Sequence, residues 1–128
     1  DRRRMALFFR TMEKLRKTAA SMDADSFYSS LSSELKRYLS MRLKADLSVK
    51  TTAELKPFLE VRLDKIKPDE QLHNELSPAL MIGELFAYGD KVRFGGFSAE
   101  MEKRLEHLSL IDNTVNEIEK VKREGVEL

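Results

Sequence analysis

Residues 99–122 read AEMEKRLEHLSLIDNTVNEIEKVK, and the reading of this stretch decides the fold class. Met101, Leu105, Leu108, Ile111, Val115, Ile118 and Val121 recur at spacings of 4, 3, 3, 4, 3 and 3, so all seven share one face of an α-helix. The helix is predicted from about Ala99 to Lys122, with Ser98 as its cap. At 1.5 Å per residue it is about 36 Å long, enough to cross a whole domain. Such a helix is stable only when its apolar face is covered, so the rest of the chain must supply matching helix faces.

Those faces appear on moving toward the N-terminus. Residues 90–97 read DKVRFGGF, where Val92 and Phe94 alternate with Lys91 and Arg93; this predicts an extended connector, reversed at Gly95-Gly96. Before it, Ser77-Pro78 caps and opens a helix through Leu80, Met81, Glu84, Leu85 and Tyr88, with Gly89 as its end. Pro68 opens a short helix from Asp69 to about Glu75. Thr51-Thr52-Ala53-Glu54 has the form of a capping box, and a helix follows to about Lys65 with Leu55, Phe58, Leu59, Arg62 and Ile66 inward. Pro57 falls past its first turn, so the helix either kinks there or becomes regular later.

Asp23 or Asp25 caps a helix from about Ala24 to Lys44, whose face is Phe27, Leu31, Leu35, Tyr38, Leu39 and Leu43. Leu47 and Val49, beyond it, are expected to cover the end of the core. The first helix, about Arg3 to Ala20, carries Met5, Phe8, Met12, Leu15 and Ala19 as a narrow stripe, widened by Leu7 and Phe9. That stripe suits core packing first, then a membrane-surface helix or a coiled-coil seam. The expected architecture is all-α, a single compact bundle of about six helices with a long C-terminal helix.

Composition agrees. The chain has 128 residues, one domain's length, with 41% hydrophobic and 35% charged residues, too apolar for a disordered segment. It has only five Gly and three Pro, as helices require, and no Cys, which excludes disulfides, thiol catalysis and cysteine metal sites. No stretch has the 18 or more apolar residues of a membrane span. The two histidines, His73 and His107, lie far apart without a His-Glu-x-x-His pattern, and His107 reads as a satisfied or surface histidine. No carboxylate pair stands out for acid–base work, and Gly95-Gly96 matches neither the Walker nor the dinucleotide pattern. No cofactor, no metal site and no catalytic residue is expected.

Charge is uneven. Residues 1–20 carry Arg2, Arg3, Arg4, Arg10, Lys14, Arg16 and Lys17 against Asp1 and Glu13, a net +5, whereas the whole chain is +1, which leaves −4 for the remainder. A basic cluster opening a domain is what lies beside anionic headgroups just cytoplasmic of a membrane span, and the start at Asp1 without Met reads as a processed or cut chain. The plainer reading is a solvated helix face.

Two stretches together resemble the cytoplasmic C-terminal region of the Bat aerotolerance membrane proteins, the BatD-like family encoded beside MoxR-type AAA+ ATPases and von Willebrand A-domain proteins. The first is residues 25–43, DSFYSSLSSELKRYLSMRL, followed by Thr51-Thr52-Ala53-Glu54-Leu55. The second is residues 90–95, DKVRFG, followed by the long closing helix. The likeness spans about residues 23 to 120 in order, and departs from the family pattern at Lys91, where an apolar residue is usual, and at Pro57.

The resemblance implies a basic juxtamembrane helix over residues 1–22 and a helical cytosolic domain over 23–128, on the cytoplasmic face of a bacterial inner membrane. It further implies no enzymatic activity and a partner that is a MoxR-type ATPase or a von Willebrand A-domain protein, in stress tolerance or complex maturation. Lys91 and Arg93 on the connector are the candidate protein contacts, pointing away from Val92 and Phe94, with solvated charge as the plain alternative. Arg2, Arg3 and Arg4 are the candidate membrane-surface residues. No nucleic-acid partner is expected. The rival readings are a self-associating scaffold, a homodimer through a first-helix coiled coil, and an RNA-binding helical domain.

Overall fold

Local capping chemistry sets where the helices begin in the computed structural model, which describes residues 2–66, 77–96 and 100–128. Five α-helices are found among those residues: α1 (Arg2–Thr18), α2 (Ala24–Leu43), α3 (Thr52–Arg62), α4 (Pro78–Phe94) and α5 (Met101–Arg123). The Asp23 carboxylate accepts the Ser26 amide at 2.6 Å and so starts α2. At α3 both halves of the capping box form, with Thr51 Oγ1 accepting from the Glu54 amide at 3.2 Å and Glu54 Oε1 from the Thr51 amide at 3.0 Å. Ser77 caps α4 with Pro78 in its first turn. Pro57 lies within α3, which continues through it to Arg62. The expected short helix from Asp69 to Glu75, with His73, lies outside the described residues, as does Ser98.

The all-α reading holds, with five α-helices rather than six among the described residues and no strand. The expected extended connector is helix. Leu85, Gly89 and Val92 keep a helical spacing and are all buried, so α4 runs on to Phe94, and Phe94 is 77% exposed instead of sharing a side with Val92. Gly89 does not end α4 but sits buried in it, where an added Cβ would lie 3.2 Å from Ser32 Oγ and 3.8 Å from Tyr28 Cβ. Its missing side chain lets α4 lie close against α2. The helix ends instead at Gly95, whose amide donates to the Lys91 carbonyl, and Gly96 follows at φ 65°.

Helix α2 is the centre of the bundle, packing against α1 on one side and α4 on the other, while α3 backs α4 and α5 touches both α1 and α4. Phe8, Met12, Leu15 and Ala19 bury the expected stripe of α1, so that helix is part of the core and its candidate coiled-coil seam is occupied within the chain. Leu7 and Phe9 do not widen the stripe; they are 49% and 48% exposed on either flank. Leu47, in a 3-10 turn (Leu47–Val49), covers the end of the core as expected, but Val49 is exposed. On α4 the buried positions include Ile82 and Phe86, while Leu80 and Glu84 face out. On α5 the apolar face is buried from Leu108 to Ile118, whereas Met101 and Leu105 project past the bundle.

Candidate functional site

The outer surface of α1 is basic along its length. Arg3, Arg10, Lys14 and Lys17 follow at i, i+7, i+11 and i+14, one helical stripe, and all are exposed. Arg2 and Arg4, the other two members of the expected membrane-facing run, are exposed as well. Glu13 is taken up by Arg16 at 3.0 Å, and Arg16 also reaches Asp112 of α5. Among the described residues no ion pair joins a cation of this stripe to an acid of α1.

Beside the stripe, a groove of about 580 Å³ runs between α1 and α2, lined by Arg4, Leu7, Phe8, Arg37, Tyr38 and Met41 among others. Glu34, buried at its wall, accepts from exposed Arg37 at 2.7 Å. Burial pushes the Glu34 carboxyl up from the ordinary range, against the opposing pull of Arg37.

At the opposite end of the molecule, the last turn of α4 displays the candidate contact residues. Lys91 is exposed. Arg93 does not point away from Phe94: its guanidinium lies over that ring at 5.1 Å and stands 3.9 Å from Asp25 on α2. The two cations suit the negative end of the α4 dipole, and Phe94, which alternation sets on the side of Val92, is exposed beside Arg93. Helical spacing, instead of strand alternation, would have identified Phe94 from the sequence.

Two polar clusters lie inside. His107 Nδ1 and the Tyr28 hydroxyl are 2.6 Å apart in a buried hydrogen bond, with Tyr88 edge-on to His107 at 4.6 Å between ring centroids. His107 is thus a satisfied core histidine. Desolvation first, then Lys103, lowers its pKa from 6.5, with Glu106 opposing, and desolvation raises that of Tyr28. The unfolded chain binds a proton that the native ring refuses, so stability falls as pH drops below about 6.5 and levels off only under the lowered native value. Urea unfolding across pH 7.5 to 5 should show this slope, and His107→Gln should flatten it; an unchanged slope in the variant would assign the effect elsewhere.

The second cluster joins Tyr38, Arg42 and Glu119. Arg42 Nε and Nη2 donate to the Glu119 carboxylate at 2.5 and 2.6 Å, and the Tyr38 hydroxyl donates to Glu119 Oε2 at 2.6 Å. The Glu119 carboxylate thus turns from α5 toward α2. Arg104, also on α5, donates to the Ala19 and Met22 carbonyls at 2.7 Å.

Among the described residues no three His, Asp or Glu side chains converge as a metal site, and no helix is long and apolar enough to cross a membrane. Two of the outward-facing features among the described residues are the α1 stripe with its groove and the Lys91–Phe94 end of α4. No protein-family model, curated protein or solved structure matches this chain.

Proposed function

We propose that this chain is a non-enzymatic docking domain, the cytosolic part of a Bat-type inner-membrane protein that engages a MoxR-type ATPase or a von Willebrand A-domain partner. One observation carries the reading: Phe94 is 77% exposed in the last turn of α4 with the Arg93 guanidinium over its ring, and Lys91 is exposed one turn before it. Aromatic and arginine side chains dominate protein-interface energetics, and a large ring left in water at a helix end is a ready anchor. The ordered resemblance over residues 23 to 120 supplies the partner class. Its first stretch supplies the α2 core through Phe27, Tyr28, Leu31, Leu35, Tyr38, Leu39 and Leu43, and its second ends at this projecting tip. The basic α1 surface is assigned to the anionic membrane face.

The test is capture of a purified MoxR-type ATPase by the immobilised chain, in wild-type form and as Lys91→Glu/Arg93→Glu. The double reversal should weaken capture by at least tenfold, with helical circular dichroism unchanged because both side chains are at the surface. Wild-type capture by the variant removes the α4 end as the contact. No capture of the ATPase or of the von Willebrand A-domain protein by the wild-type chain removes the partner assignment.

A further inference from the structure

The membrane assignment above rests on charge alone, and the folded α1 adds an apolar component. Leu7, 49% exposed, is encircled on the helix surface by Arg3 at i−4, Arg4 at i−3, Arg10 at i+3 and Lys14 at i+7, all exposed. Arg37 of α2 closes the ring across the groove that Leu7 and Arg4 line. We propose that this face of α1 is a bilayer-docking surface, on which Arg3, Arg4, Arg10, Lys14 and Arg37 engage anionic phospholipid headgroups while Leu7 enters the interface between them. This deepens the membrane-facing reading: the recognised chemistry is an anionic lipid surface, and the contact is a folded helix side, not only the terminal Arg2-Arg3-Arg4 run.

Two features favour a bilayer over other polyanions. The stripe from Arg3 to Lys17 is straight and spans about 21 Å on the outward side of a single helix, so a planar charged surface meets it along its whole length at once. A nucleic-acid backbone offers nothing to an apolar side chain, and the aromatic that could stack on a base, Phe9, lies on the opposite flank of α1. Long basic side chains around an inserted aliphatic group make the two-part attachment, electrostatic and apolar, that surface-bound helices use.

The experiment is co-sedimentation of the full 128-residue chain with vesicles of phosphatidylcholine alone and of phosphatidylcholine with 30 mol% phosphatidylglycerol. Binding is expected only to the anionic vesicles and should fall steeply as salt rises. Each cation near such a surface strengthens binding about fivefold, so Arg10→Gln/Lys14→Gln should weaken it about thirtyfold. Leu7→Ala should weaken it several-fold with the salt dependence unchanged, which separates insertion from charge. Both variants change exposed positions, so a retained helical spectrum and unfolding midpoint confirm the fold.

Equal binding to neutral vesicles, no anionic-vesicle binding at low salt, or indifference to Leu7→Ala would each overturn the proposal. So would binding to single-stranded RNA that matches vesicle binding and ignores Leu7. These results are independent of ATPase capture at the α4 end, so either reading can fail while the other stands.

Discussion

Glu119→Ala is expected to destabilise the fold by about 3 kcal/mol, the lower end of the range for removing one partner of a buried ion pair because this pair is part-buried, and this is a large share of a typical domain's stability. Arg42 is 10% and Glu119 15% exposed, so neither charge is compensated by water as a surface pair would be. The substitution takes the carboxylate from Arg42 and the acceptor from the Tyr38 hydroxyl in the same step. Burial by itself would raise the Glu119 pKa; the hydrogen bonds from Arg42 and Tyr38 outweigh it and hold the carboxyl below its usual value of 4.5. A depressed carboxyl contributes stability that is present above pH 4.5 and is lost as pH falls through the native value. Urea unfolding at pH 7 measures the loss. Replacing all three members, as Tyr38→Phe/Arg42→Met/Glu119→Met, should recover most of it, because the ion pair and the hydroxyl bound to it are removed together and neither charge is left without the other. A loss under about 1 kcal/mol in Glu119→Ala would mean the cluster contributes no more than a surface pair.

Phe27→Ala is the second large effect, expected at about 3–5 kcal/mol from lost burial and the cavity left behind. Phe27 is fully buried, meets Tyr28 edge-on at 5.0 Å between centroids, and lies under the Arg104 guanidinium at 5.6 Å. Arg104 in turn holds the carbonyls of Ala19 and Met22, so the ring sits where the α1–α2 turn is fastened to α5. Phe27→Leu keeps most of the volume and should cost clearly less, which keeps the prediction testable if the alanine variant does not fold. The midpoint of urea unfolding decides it. Similar small losses in both variants would show that the site closes around the missing ring.

The helices that carry these networks were legible because their signals are local. A threonine followed three residues later by glutamate, or a serine followed by proline, fixes a helix start through bonds within one turn, and Thr51, Glu54, Ser77 and Pro78 behave accordingly. The stripe of α1 and the face of α2 were legible for the same reason. The reading failed where two periods competed over a short span. Val92 and Phe94 fit strand alternation, but Val92 also continues the helical series from Leu85 through Gly89, and burial against α2 decided between them. Lys91 and Arg93 were found as exposed cations, whereas their apolar companion Phe94 was misplaced by that error.

From the sequence alone came the all-helical class, the caps of α2, α3 and α4, the core faces of α1 and α2 and that of α5 from Leu108 to Ile118, and the excess positive charge of the first twenty residues, since all depend on neighbours a few positions apart. Which helices meet, and hence which polar groups are enclosed, belonged to the tertiary structure. Glu119 with Arg42, Tyr28 with His107, and the ring of cations completed by Arg37 each join residues from different helices. Their partnership depends on the angle and depth at which apolar faces pack, and a one-dimensional period carries information about neither.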